Sequence, residues 1–223
     1  MLLIDDKTLI VHMRKCGGTS FCTGLIDLLP SERVFFLGYT PEGETRSARS
    51  RRKPGGIWKH STTAELLTGL KRDAGDLDIF LLALRPWWER VASYYFHARR
   101  YHQRDSKKHV WVKNLSFSDY LRSEHMNRDV LADFACDAAG QVLVDHFVGF
   151  DAIGEVYANL CDDLGLGKQE IPHLNANRVK DKLTGDGDLR EIYSEADWAY
   201  AAEIYRPETE LMARLGLSYR QDG

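Results

Sequence analysis

The sequence predicts an α/β fold, a mostly parallel sheet flanked by helices, with a helix-rich second half. Three observations predict it. Two segments each run from an apolar stretch through a tight turn into a helical pattern, one from Thr8 to Leu29 and one from Asp78 to Tyr95. Ile79 to Leu84 is continuously apolar, as in a strand covered on both faces. Strand-like and helix-like stretches alternate, the pattern of a sheet with helical crossovers.

In chain order, strands are expected at Thr8 to Met13, Arg33 to Leu37, Asp78 to Leu84 and Val144 to Phe150. Helices are expected at Thr19 to Leu29, Thr62 to Lys71, Pro86 to Arg100, Ser116 to Ser123, Asn127 to Ala135, Ala152 to Leu164, Leu189 to Tyr205 and Pro207 to Leu215. Pro86 suits the first turn of its helix, where a missing N–H costs nothing. With 223 residues, no repeat and no Pro/Gly/Ser-rich linker, the chain is expected to form one domain over residues 1–223.

Composition fits an enzyme in solution. The formal net charge of −3 gives no global bias toward nucleic acid. No apolar run approaches the roughly 20 residues that span a bilayer. Met1-Leu2-Leu3-Ile4-Asp5-Asp6 lacks the basic region and long apolar stretch of a signal peptide, so a cytoplasmic location is expected. Cys16, Cys22, Cys136 and Cys161 show neither Cys-x-x-Cys pairing nor zinc spacing and are expected to be reduced thiols.

The first strand–turn–helix segment carries phosphate chemistry. Its turn reads Lys15-Cys16-Gly17-Gly18-Thr19-Ser20. Glycines let the backbone approach a ligand closely and adopt positive φ. Loop amides and the first helical amides then point at one place, where the helix dipole adds partial positive charge. Lys15 supplies a full charge, and Thr19 and Ser20 supply hydroxyls. A nucleotide phosphate or a phosphosulfate suits this set; an ordinary Gly-Gly turn is the plain alternative. The Walker pattern does not fit, because it needs lysine directly before Ser/Thr, and here Gly18 abuts Thr19.

In the second segment, Arg85 is expected at the carboxyl end of a strand, where open α/β sheets bind ligands. Helical spacing puts Ser93, Tyr94 and His97 on one side with Arg90. Arg85, Arg90 and Ser93 together suit a second phosphate, with arginine offering a bidentate fork. Taken singly, each has a bland reading: a sheet-edge cap, a solvated arginine and a neutral helical serine.

The pair of segments resembles the sulfotransferases that use 3′-phosphoadenosine 5′-phosphosulfate (PAPS), in particular the carbohydrate-type branch related to heparan and chondroitin sulfotransferases and its bacterial relatives. Lys15 to Ser20 resembles that family's 5′-phosphosulfate loop. Arg85 to Ser93 resembles its 3′-phosphate motif, although this chain reads Arg85-Pro86 where the family usually has Arg-Asn-Pro. Trp58-Lys59-His60-Ser61-Thr62-Thr63-Ala64 resembles the family's Lys-His-x-Thr-Ala segment, and Ile171-Pro172-His173-Leu174-Asn175 its Leu-Pro-His-Leu-Asn segment.

The resemblance implies a P-loop-like, three-layer domain and transfer of a sulfuryl group to a hydroxyl or amine. It assigns Lys15, Cys16, Gly17, Gly18, Thr19 and Ser20 to the phosphosulfate, and Arg85 and Ser93, with Arg90, to the 3′-phosphate. The product is 3′-phosphoadenosine 5′-phosphate (PAP), and no metal is expected. A general base with a pKa near neutral points to histidine, and the resemblance singles out His60. Its bland reading is a polar histidine at a helix N-terminus capped by Ser61 or Thr62. His12 is a weaker candidate because it lies inside a strand.

Two basic runs, Arg46 to Lys53 and Arg99 to His109, read as solvated loops. In the family context they flank the cleft and suit an anionic acceptor such as a glycan, with Arg51, Arg52, His173 and Asn175 as candidate contacts. RNA is disfavoured by the acidic balance. Two other function classes stand beside the transferase. A nucleotide kinase or NTPase needs a Walker lysine and an acidic metal ligand after a strand. A non-catalytic PAP-binding module would keep the loop and lose the base; the absent asparagine after Arg85 favours it, and His60 with Lys15 argues against it.

Overall fold

A computed structural model describes residues 1–172 and 188–219. These divide into two compact units, one built from residues 1–84, 131–172 and 218–219, the other from residues 85–130 and 188–217.

The first unit holds a five-stranded sheet of order β3-β1-β2-β4-β5. Its strands are β1 (Leu2–Ile4), β2 (Thr8–His12), β3 (Val34–Phe36), β4 (Asp78–Leu84) and β5 (His146–Gly149). β2, β4 and β5 form a parallel core, and β1 runs antiparallel to both β2 and β3, so the sheet is mixed. β1 is not among the strands expected from sequence: three residues are too few to show a period. It is set by a turn in which Asp5 and Asp6 take left-handed φ of 51° and 55°, with Lys7 N donating to Ile4 O at 2.9 Å, the geometry of primed hairpin turns.

One face of the sheet, Leu2, Ile4, Ile10, Leu82 and Val148, packs on Phe21, Cys22 and Leu25 of α1 (Gly18–Leu28) and on Tyr157, Leu160 and Cys161 of α7 (Ile153–Asp163). Residues one step along each strand point the other way; Leu3, Leu9, Val11 and Leu81 are buried there. α6 (Leu131–Ala135) packs on β4 and on α3 (Thr63–Leu70). Ile79 to Leu84 is therefore covered on both faces, which explains its unbroken apolar run.

The basic run Arg46 to Lys53 is not a loop. Residues 41–51 form α2 (Pro41–Arg51), and the local sequence explains it. Thr40 caps it, its hydroxyl accepting from Gly43 N at 3.1 Å. Pro41 stands at the start, Glu42 and Glu44 in the first turn, and Arg49 and Arg51 in the last, which complements the helix dipole.

In the second unit are α4 (Trp87–Arg104), α5 (Phe117–Arg122), α8 (Glu195–Ile204) and α9 (Arg206–Leu215). Arg99 to Arg104 of the second basic run belongs to α4 rather than to a loop. The helix expected over Leu189 to Tyr205 is split into a 3-10 turn at Leu189–Ile192 and α8, because Ser194 caps α8 by accepting from Asp197 N at 3.1 Å. Of the helix expected from Asn127, only Leu131–Ala135 is helical. Trp87 stacks on Tyr205 at 5.1 Å and lies against Trp198 and Tyr193. Among the described residues, no helix is long and apolar enough to cross a membrane.

Beneath this aromatic cluster lies a wholly buried ion pair. Arg90 and Glu208 are both 0 % exposed. Arg90 Nη1 and Nη2 donate to Glu208 Oε1 at 3.0 Å and Oε2 at 2.6 Å, and further to the carbonyls of Arg85 at 2.9 Å and Asp129 at 3.1 Å. Removing one partner strands a buried charge, which costs about 3–5 kcal/mol. Arg90→Met should therefore lower unfolding stability by that amount in a denaturant titration, and adding Glu208→Leu should recover part of the loss. Equal midpoints for wild type and Arg90→Met would show that the pair does not hold α9 to α4.

Candidate phosphate loop and histidine pair

β2 ends at His12, and residues 13–17 carry the chain to α1. Met13 N donates to Leu82 O at 3.1 Å, continuing the pairing with β4 one residue further. The chain then turns through left-handed backbone at Lys15 (φ 69°) and Gly17 (φ 81°). The side chain between them is anchored: Cys16 is 2 % exposed, and its Sγ lies 3.5 Å from Ala83 O at the end of β4. Cys16 thus fastens the loop to the sheet.

Gly17 caps α1 with no side-chain hydrogen bond to the first turn, and no acidic residue occupies that turn. Both glycines are required by their surroundings. A Cβ on Gly17 would come 2.7 Å from Ile153 Cδ1, at a positive φ. A Cβ on Gly18 would come 2.2 Å from the His12 ring. Thr19 is exposed, and Ser20 is partly so.

His12 therefore forms the floor of the loop. It is 3 % exposed, and its Nδ1 lies 2.9 Å from the Tyr39 hydroxyl. Its ring meets the ring of His60 edge-on, 4.7 Å apart at 61°. His60 packs in turn against Trp58 at 5.1 Å and 85°. His60 Nδ1 is sealed from solvent and has no hydrogen-bond partner. Burial, reinforced by the neighbouring His12, holds the His60 imidazole well below its ordinary pKa of 6.5; burial does the same to His12. Both rings are neutral at physiological pH.

A local turn sets His60. Trp58 N donates to Ser61 Oγ at 3.2 Å and Ser61 N to Trp58 O at 3.1 Å. Thr62, not Ser61, then caps α3, in a reciprocal capping box with Glu65. Around Trp58 stand two cations, Arg14 from the loop at 5.2 Å and Arg51 from α2 at 4.4 Å from the ring centre. Lys59 pairs with Glu44 of α2 at 2.5 Å.

In the first unit the structure thus gathers the loop 15–20, His12, His60 and Arg51. Arg52 is the exposed C-terminal cap of α2. His173 and Asn175 lie outside the described residues. In the second unit, Arg85 directly follows β4 in the chain and pairs with Glu89 at 3.1 Å, and Ser93 is 4 % exposed. Arg90 is a correction: its guanidinium is committed to Glu208 and to two carbonyls in the interior, so it serves packing and not a 3′-phosphate. Tyr39 carried no signal in sequence, being a lone aromatic after a glycine. Trp58 stood beside His60 all along, but only folding brings Arg14 and Arg51 to it. Among the described residues, no group of three or more His, Cys, Asp or Glu is placed to hold a metal ion.

No family model, no curated protein and no solved structure matches the chain.

The neutral histidines make stability pH-dependent. Unfolded, each binds a proton near pH 6.5; folded, each binds it only at a lower pH. The unfolded chain therefore holds more protons below pH 6.5, and stability falls as pH falls through that region, by up to about 1.4 kcal/mol per pH unit for each histidine. Denaturant midpoints between pH 7.5 and 5 should show this slope, and His60→Gln should flatten it. Gly18→Ala should destabilise by about 1–3 kcal/mol, because the His12 ring has to move.

Proposed function

We propose that the protein is a sulfotransferase that moves a sulfuryl group from PAPS to a hydroxyl or amine of an acceptor, with a carbohydrate as the acceptor class. The observation that carries this reading is a neutral, partly exposed imidazole, His60, whose Nδ1 is sealed and unpartnered and which packs beside the root of a glycine loop whose helix has no side-chain cap. The loop suits an anion, and the histidine suits a base. The sequence resemblance supplies the donor.

In this mechanism the amides from Gly17 to Ser20 and the hydroxyls of Thr19 and Ser20 bind the phosphosulfate. The acceptor O–H gives its proton to His60 as its oxygen attacks sulfur. The bond from sulfur to the 5′-phosphate oxygen breaks, and negative charge grows on that oxygen. Lys15 and the loop amides stabilise it, as preorganised charge does in phosphoryl transfer. Because burial keeps His60 neutral, its lone pair is available at pH 7. The resemblance assigns the 3′-phosphate to Arg85 and Ser93, and Arg90 is left out because its guanidinium is paired with Glu208. Arg51 beside Trp58 suits an acidic or hydroxylated acceptor. The absent asparagine after Arg85 favours a second reading, a module that binds PAP without transfer.

Calorimetry of PAP against ATP, without metal and at matched salt, tests the donor. PAP should bind more tightly, and Lys15→Ala should weaken it about 10- to 100-fold, the value of one charged hydrogen bond. A preference for ATP, or binding only with Mg²⁺, would instead support a kinase or NTPase. With labelled PAPS and a panel of glycans, His60→Ala should lower turnover by about 10²- to 10⁴-fold while PAP binding stays unchanged. PAP binding with no transfer to any acceptor would favour the binding module.

A further inference from the structure

We propose that Tyr39 and His12 are positioning residues for His60: the Tyr39 hydroxyl donates to His12 Nδ1, fixing His12 as the Nε2-protonated imidazole, and that fixed ring holds His60 in place beside the loop. The inference rests on the sulfotransferase reading only for what His60 does; the geometry of the pair is independent of it.

His60 is oriented in an unusual way for a base. No carboxylate or carbonyl holds its Nδ1. Its ring is fixed by edge contacts, with His12 on one side and Trp58 on the other. Trp58 is partly exposed, whereas His12 is buried and tied at two points. One tie is the floor contact with Gly18, which leaves no room for a methyl group. The other is the 2.9 Å hydrogen bond to Tyr39. Tyr39 is itself held in left-handed backbone, φ 71°, a conformation that costs a bulky residue on the order of 1 kcal/mol or more and persists only where surrounding structure enforces it.

The hydrogen bond also separates two imidazoles of similar environment. Burial pushes the Tyr39 hydroxyl well above its ordinary pKa, so it remains an O–H. Donating into His12 Nδ1, it occupies the basic lone pair of that ring. Of the two rings, His12 is buried, whereas His60 is partly exposed with only its Nδ1 sealed. His12 then cannot compete for the acceptor's proton. Arg14 on the loop and Lys59 beside His60 are the cations facing the pair, and they oppose protonation of either ring. The Met1 amine, which meets the Tyr39 hydroxyl and whose pKa burial lowers to about 5, and the Cys22 thiol, raised by burial, are uncharged at pH 7, and Glu44 of α2 pairs with Lys59.

Two measurements on the intact chain test the proposal. In ¹⁵N-histidine NMR of the wild type without donor, His12 should show protonated Nε2 and hydrogen-bonded, unprotonated Nδ1. Tyr39→Phe, which keeps the ring, should release that tautomer and shift the titration of His60. His12→Asn, whose amide can still meet the Tyr39 hydroxyl, should keep part of the native His60 titration. In turnover, Tyr39→Phe should lower kcat about tenfold, a fraction of what a general base contributes, and move the acid limb of the pH profile. The KM for PAPS should not change. A wild-type His12 protonated at Nδ1, or a His60 titration identical in Tyr39→Phe, overturns the proposal; the first needs no variant to fold. A wild type that binds PAP but transfers to no acceptor overturns the sulfotransferase reading instead, and the NMR result then stands on its own for or against the pair.

Discussion

The site depends on one steric constraint, the seating of the first residue of α1 on the ring of His12. Gly18 lies so close to that ring that no side chain fits between them. The contact fixes where the helix begins, and so where its uncapped amides point. It also immobilises a strand residue that would otherwise be one more core side chain. Because His12 ends β2 and β2 runs parallel to β4, the loop leaves the sheet at the edge where β4 also ends. Cys16 ties the same loop to β4 through the carbonyl of Ala83. Strand pairing, glycine packing and a buried thiol thus agree on one loop geometry.

Electrostatics follow from that packing. Two imidazoles in contact inside a protein cannot both be charged without a large desolvation cost. Here burial keeps both neutral while cations surround them. The cations are held by neighbours rather than by the histidines: Arg14 and Arg51 lie against Trp58, and Lys59 pairs with Glu44. An anion at the loop would meet positive charge, while the adjacent histidine keeps an unprotonated nitrogen. That division between cations and a neutral imidazole is what the proposed sulfuryl transfer would use.

The second unit is organised by a different device. Arg90 looks, in sequence, like a ligand for phosphate: an arginine in a helix just past a strand. Folding turns it inward to Glu208, more than a hundred residues away in the chain. A buried arginine needs acceptors for its fork, and a carboxylate with two carbonyls accepts from both of its terminal nitrogens. The same fork that suits phosphate suits this internal carboxylate, which is why residue type and spacing alone misassign it.

The sequence by itself determined the local features. The apolar run of β4, the Lys15 to Ser20 turn, the Thr62 cap that follows His60 and the α/β alternation are set by neighbours a few residues apart, and the folded chain keeps them. The T-P-E-G-E start of α2 was equally local, but the basic residues after it drew the reading toward a loop. Tertiary structure alone decided the rest. β1 is too short to have a period and exists because β2 and β3 flank it. Tyr39, Trp58 and His12 reach His60 from separate segments, and Arg90 finds its partner across the chain. A periodic pattern reports only which face of an element is apolar. It holds no information on which distant side chain will meet a buried one, and that meeting, made only when the elements pack, is what brings the residues of the site together.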